Sequence, residues 1–214
     1  SRTMAHPSIS MTEPVRVENG AAESAFLLIC EHASNAFPPP FGTLGLGDNA
    51  RRAHIAWDPG ALGLARGLAR RLDATLIAAE VSRLIYDCNR PPNSPGSMPA
   101  TSEVFSIPGN AVITAEERCR RTEAIYLPFH AAVRAEIARR LALGRPPVVV
   151  TIHSFTPIYF GQTRAVEFGV IHDADPRYAE RIVAVAQART TLRCELNAPY
   201  SAADEVTHTL RLHA

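Results

Sequence analysis

Five residues, Val148-Val149-Val150-Thr151-Ile152, follow Pro146-Pro147 with no charge among them and no apolar/polar alternation. A β-branched run of this length, bounded by prolines before it and by His153-Ser154 after it, reads as a strand that is apolar on both faces. Such a strand belongs in the middle of a parallel sheet. Similar short runs occur at residues 25–30, 75–79, in AVEFGVIHDADP and in TLRCELN, and helical patterns lie between them. Asp58 is placed to cap a helix with Pro59 at its first position, and Leu62, Ala65, Leu68, Ala69 and Leu72 form its apolar face. Thr114 and Glu117 form a capping box that opens a long helix; Pro128 should kink or divide it, and Gly144 should stop it. A further helix follows Asp175, which is placed as its N-cap. Residues 84–86 read as a short extended run, and 91–113 as a long loop of the kind that is usually functional. Strands alternating with helices predict an α/β fold, a three-layer α/β/α sandwich with a mostly parallel mixed central sheet.

At 214 residues the chain suits one domain. The boundaries read as a flexible N-terminal tail over 1–22 and a single domain over 23–214, with APYSAADEVTHTLRLHA as a C-terminal tail. A net charge of +1 gives no field for nucleic acid or a membrane surface, and no apolar stretch is long enough to span a bilayer. All 22 basic residues are arginines. That excludes Schiff-base chemistry and a P-loop, both of which need lysine. Cys30, Cys88, Cys119 and Cys194 are widely spaced and read as reduced thiols, which points to a cytoplasmic protein.

In open α/β sheets the site lies beyond the carboxyl ends of the strands, and here three strand ends carry unusual chemistry. The first run stops in Glu31-His32-Ala33-Ser34-Asn35, and the Val148 run stops in His153. Either histidine alone could be a loop residue; on neighbouring strands the two would form a metal pair. A hydrolytic zinc needs a third protein ligand. Asp58 in HIAWDPG can supply it, or can act as a helix cap instead. His54 is a weaker candidate, and Trp57 either walls the pocket or packs. In SRLIYDCNRPP, Arg83, Asp87, Asn89 and Arg90 crowd a third strand end. The arginines either grip an acidic substrate or pair with Asp87, and an Asp87 that engages one of them leaves the other for substrate.

The ordered set CEHASN, HIAWDPGA, SRLIYDCNRPP, YLPFH and HSFTP resembles the N-formylglutamate amidohydrolase family from about residue 27 to the C-terminus. The resemblance implies a phosphorylase/hydrolase-like sandwich and a cytoplasmic hydrolase of histidine degradation. It also implies a zinc or other divalent cofactor and a small acidic N-acyl amino acid, such as N-formylglutamate, as substrate. His32 and His153 match the metal-binding histidines, and Asp58 is taken as the third ligand. Arg83, Asn89 and Arg90 match the substrate-binding arginine and Asn-Arg pair. Asn35 stands where related enzymes have a glutamate ligand and is assigned to substrate instead; Arg164, with Tyr200, is a further pocket candidate. The general-base glutamate is expected beyond Ala214. The alternatives are a cysteine-dependent amidohydrolase using Cys30 or Cys88, and a catalytically inactive binding protein for acidic metabolites.

Overall fold

The structure, a computed structural model, describes residues 13–172, 175–204 and 206–214. The strands are β1 (Val15–Glu18), β2 (Phe26–Cys30), β3 (Thr75–Ala79), β4 (Thr101–Ser102), β5 (Phe105–Ser106), β6 (Val148–Thr151), β7 (Ile158–Tyr159), β8 (Gln162–Thr163), β9 (Phe168–Val170) and β10 (Cys194–Leu196). The α-helices are α1 (Asp48–Arg52), α2 (Ala61–Leu72), α3 (Ala115–Arg121), α4 (Leu127–Ala142), α5 (Arg177–Arg189) and α6 (His208–His213).

A four-stranded sheet in the order β1-β3-β2-β6 organises the molecule. β3 and β6 lie parallel to β2 on its two sides, and β1 pairs antiparallel with β3. The sheet is therefore mixed, and helices pack on it. The core is divided by the period of two along each strand. Leu27, Ile29, Ile77 and Ala79 face Phe129 and Val133 of α4. Leu28, Cys30, Leu76 and Ala78 face Ala61, Ala65 and Ala69 of α2, whose small side chains let that helix lie close to the strands. β9 and β10 form a separate parallel pair.

Several expectations need correction. The supposed tail over 1–22 contains β1, which is held to β3 from Val15 opposite Ala79 to Glu18 opposite Leu76; residues 1–12 lie outside the described residues. The Val148 strand is not central. Among the described residues it is an edge strand bonded only to β2, and Val148 is 38% exposed. β3 and β2 are the two inner strands, and Leu27, Leu28, Ile29 and Cys30 of β2 are all fully buried. Residues 84–86 are not extended: Ile85 and Tyr86 donate backbone N–H groups to Ser82 O, which closes a turn. α2 starts at Ala61 rather than at Pro59, with Gly60 in the left-handed region at its N-cap, so Asp58 does not cap it. α5 starts at Arg177 with Pro176 at its N-cap, and Asp175 still accepts the Arg177 N–H. The C-terminal stretch ends in α6, which packs against β6 and α4.

Other expectations hold. Thr114 caps α3 by accepting the Glu117 N–H at 3.1 Å. The turn at 122–126 is π-helical and leads into Pro128 at the start of α4. A wide turn here accommodates a proline that cannot donate to the preceding turn. Gly144, with φ +69, follows the last turn of α4. The 91–113 loop is pinned from inside, where buried Asn110 donates to Leu84 O and Pro99 O and accepts from Arg121 Nη1.

Candidate active site

The carboxyl ends of β2 and β6 bring the two strand-end histidines together. Ile29 pairs with Thr151, and Ile152 donates its N–H to Ile29 O. Two residues beyond each strand, the His32 and His153 rings lie with their centroids 4.9 Å apart. The chain at Asp58 is drawn in by a backbone bond from Asp58 N to His32 O at 2.9 Å. Freed from helix capping, the buried Asp58 carboxylate sits between the rings. Its Oδ2 is 3.4 Å from His32 Nδ1 and 3.0 Å from His153 Nδ1, and it accepts the Ser154 N–H at 3.2 Å. One donor atom from each of His32, Asp58 and His153 falls within a mutual 4.8 Å.

A second layer surrounds these three. His32 Nε2 is 2.7 Å from Asp87 Oδ1, which also accepts the Asn89 N–H. Arg83 bridges two carboxylates, donating to Asp58 Oδ1 and Asp87 Oδ2 at 3.3 Å each, while its side chain stays 29% exposed. Arg90 Nε stands 4.0 Å from Asp87 Oδ2 and its Nη1 donates to Asp204 O. Asp87 thus touches both arginines rather than one.

Three buried carboxylates, Glu31, Asp58 and Asp87, converge here. Burial alone would raise all three, yet each is held below the usual carboxylate range: Asp58 and Asp87 by His32 first, Glu31 by His153 first. The same field acts on the rings. Burial would lower His153, but Glu31 and then Asp58 raise it to about 10. His32 is also raised, because Asp87 and Asp58 outweigh burial and the Arg83 charge.

The other candidate side chains make contacts of their own. Both ends of the Asn89 amide are engaged by the C-terminal segment: Nδ2 donates to Val206 O at 2.7 Å, and Oδ1 accepts the Thr209 N–H at 3.1 Å. Asn35 lines a separate surface recess with Phe37, Asp48, Arg51 and Arg52. His54 pairs with Glu103, and Trp57 donates to Arg52 O and packs against the core. Arg164 donates to Tyr200 Oη at 2.9 Å, with its guanidinium over the rings of Phe155, Tyr159 and Tyr200 at 4.5–5.4 Å.

Cys30 and Cys88 are buried, and burial pushes both thiols well above their ordinary range, reinforced by Glu31 at Cys30 and by Asp87 at Cys88. Neither has the electropositive, accessible setting of a nucleophile.

Sequence reasoning did not find Thr209, which is fully buried and reaches Glu31 across 178 residues of chain. It also passed over His130, which is buried against Cys88 O and His213. A six-residue helix leaves too short a pattern to signal such contacts.

A family profile for N-formylglutamate amidohydrolase matches residues 24–214. The chain belongs to this family. The solved structure of gene product Atu2144 from Agrobacterium tumefaciens is 52% identical, with a TM-score of 0.92 over 95% of this chain and 80% of that one. A more distant likeness is the crystal structure of N-formylglutamate amidohydrolase from Ralstonia eutropha JMP134. It is 17% identical, with a TM-score of 0.62 over 94% of this chain and 81% of that one, and it supports the fold alone. None of the functionally curated proteins matches the chain. Among the described residues, no helix is long and apolar enough to cross a membrane.

Proposed function

We propose that this chain hydrolyses the amide bond of a small N-acyl acidic amino acid, N-formylglutamate above all, with zinc or another divalent cation held by His32, Asp58 and His153. The observation that carries the reading is the placement of Asp58 Oδ2 between the two Nδ1 atoms, 3.4 Å from one and 3.0 Å from the other.

The donor chemistry fits a cation. Two imidazoles and one carboxylate match the three protein ligands of a hydrolytic zinc site. His32 Nδ1 is buried with no hydrogen-bond partner, so the protein alone leaves it unsatisfied. Three buried carboxylates have only Arg83 and, farther off, Arg90 as permanent cations beside them; without a metal, protons on His32 and His153 supply the remaining positive charge, and a divalent cation bound to the neutral rings would take their place. When bound, the cation supplies Lewis acidity that activates water and polarises the acyl carbonyl.

The protein's own part is to orient. Asp87 accepts the Nε2–H of His32 and so leaves Nδ1 as the lone-pair nitrogen. Arg83 bridges two carboxylates with its single charge while its side chain stays 29% exposed, and it, Arg90 and the ring-caged Arg164 suit the carboxylates of an acidic substrate. The helices on the sheet are read as the outer layers of an α/β/α sandwich. The unpaired cysteines suit a reducing cytoplasm, and the substrate suits a place in histidine degradation.

The test is metal analysis of the purified protein, followed by a hydrolysis screen over formyl-, acetyl- and succinyl-amino acids. The expected result is turnover of N-formylglutamate that a chelator stops and thiol alkylation does not. Turnover that alkylation stops and a chelator leaves alone would point to cysteine. Tight binding of acidic metabolites without turnover would point to a binding protein.

A further inference from the structure

We infer that Glu31 is the positioning residue for His153, holding the Nε2 edge of that ring so that Nδ1 faces Asp58 and the cation; this rests on the divalent-cation reading above. Glu31 directly follows β2, and its side chain is fully buried. Its Oε2 lies 3.5 Å from His153 Nε2 and accepts from Thr209 Oγ1 at 3.1 Å. Its Oε1 is buried with no hydrogen-bond partner, and so is His153 Nε2. Burying a carboxylate costs several kcal/mol, and packing alone gives no reason to keep one here.

The two histidines share one arrangement at different reach, with a carboxylate oxygen 2.7 Å from Nε2 of His32 and 3.5 Å from Nε2 of His153. Each has Nδ1 toward Asp58 Oδ2 and Nε2 toward a second buried carboxylate, Asp87 for His32 and Glu31 for His153. A ligating imidazole commonly gives its other N–H to a carboxylate, which fixes the ring and its tautomer. Glu31 is itself fixed from α6. Thr209 has a single hydroxyl proton and two acceptors in range, Glu31 Oε2 at 3.1 Å and Asn89 Oδ1 at 3.2 Å. The charged acceptor takes it, and Asn89 Oδ1 still receives the Thr209 N–H. The C-terminal helix thus reaches the metal centre through Thr209, Glu31 and His153 in turn.

The experiment titrates Co²⁺ into the full chain as wild type, Glu31→Gln and Glu31→Leu, and follows the visible absorption bands. Gln keeps an acceptor oxygen for the Nε2–H, and Leu removes it. Glu31→Leu should weaken Co²⁺ binding by roughly 10–100-fold and Glu31→Gln by less. Both should keep the wild-type band positions and intensities, because the ligand set is unchanged. Affinities equal to wild type in both variants would overturn the inference and leave Glu31 a structural role. A changed spectrum in Glu31→Gln would also overturn it, in favour of Glu31 as a direct ligand. A wild type that takes up no divalent cation would overturn the cation reading and this inference with it, an outcome visible before any variant is made. Should Glu31→Leu fail to fold, Thr209→Val takes its place: a weaker Co²⁺ affinity with an unchanged spectrum supports the inference, and an unchanged affinity overturns it.

Discussion

His32 and His153 lie with ring centroids 4.9 Å apart at the ends of two adjacent parallel strands, and Asp58 Oδ2 is within 3.4 Å of a nitrogen on each. Sequence separation contributes nothing to this; the β2–β6 register produces it.

If these rings share a cation, replacing either should remove it. His32→Ala and His153→Ala are each expected to lose stoichiometric metal and amide hydrolysis together, while circular dichroism remains that of a folded chain. Elemental analysis decides the point. Full metal occupancy in either variant would take that histidine out of the site.

Asp87 should matter through His32. Asp87→Asn weakens the partner of Nε2, which stands at 2.7 Å. Metal affinity is expected to fall about 10–100-fold, measured by competition with a chromogenic chelator. An affinity within twofold of wild type would mean that Asp87 serves only the arginines.

Arg164 tests substrate recognition apart from the metal. Losing a hydrogen bond to a charged group costs about 1.5–3 kcal/mol. Arg164→Gln should therefore raise KM for an N-acylglutamate by at least about tenfold, with kcat and metal content unchanged. A fall in kcat at constant KM would place Arg164 in the chemical step instead.

His130 gives a pH signature of stability. Its Nε2–H donates to Cys88 O at 2.7 Å, and its Nδ1 faces His213 Nε2 at 2.9 Å. Burial, with some repulsion from His213 and His208, lowers it to about 4. In the unfolded chain it titrates near 6.5. Between these values the unfolded state holds the extra proton, so this contribution to stability is complete above about pH 6.5 and declines as pH falls toward about 4. The slope is about 1.4 kcal/mol per pH unit for one proton. Denaturant unfolding at pH 7 and pH 5 should show a smaller loss for His130→Asn than for wild type; equal losses would assign the effect to other groups.

Phe129 tests the core beneath the sheet. It is fully buried on α4 against the Leu27 and Ile29 face. Phe129→Ala should cost about 3–5 kcal/mol, read from the shift in urea midpoint at constant m-value.

The local pattern was enough to locate β2, β3, β6, β9 and β10, the capped start of α3 and an irregular turn ahead of Pro128, because these depend on residues a few positions apart. It also placed polar chemistry at strand ends, since an apolar run that stops in Glu31-His32 or in His153 is visible without a fold. The tertiary structure decided what those side chains became. Sheet order made β2 rather than β6 an inner strand and set the two rings side by side. The turn at Gly60 released Asp58 from capping and sent its carboxylate to residues 26 and 95 positions away. Docking of α6 brought Thr209 to Glu31 and engaged the Asn89 amide. Periodicity reports which face of an element is buried; which nitrogen of a ring meets which oxygen depends on partners far along the chain, and only packing brings them within hydrogen-bond distance.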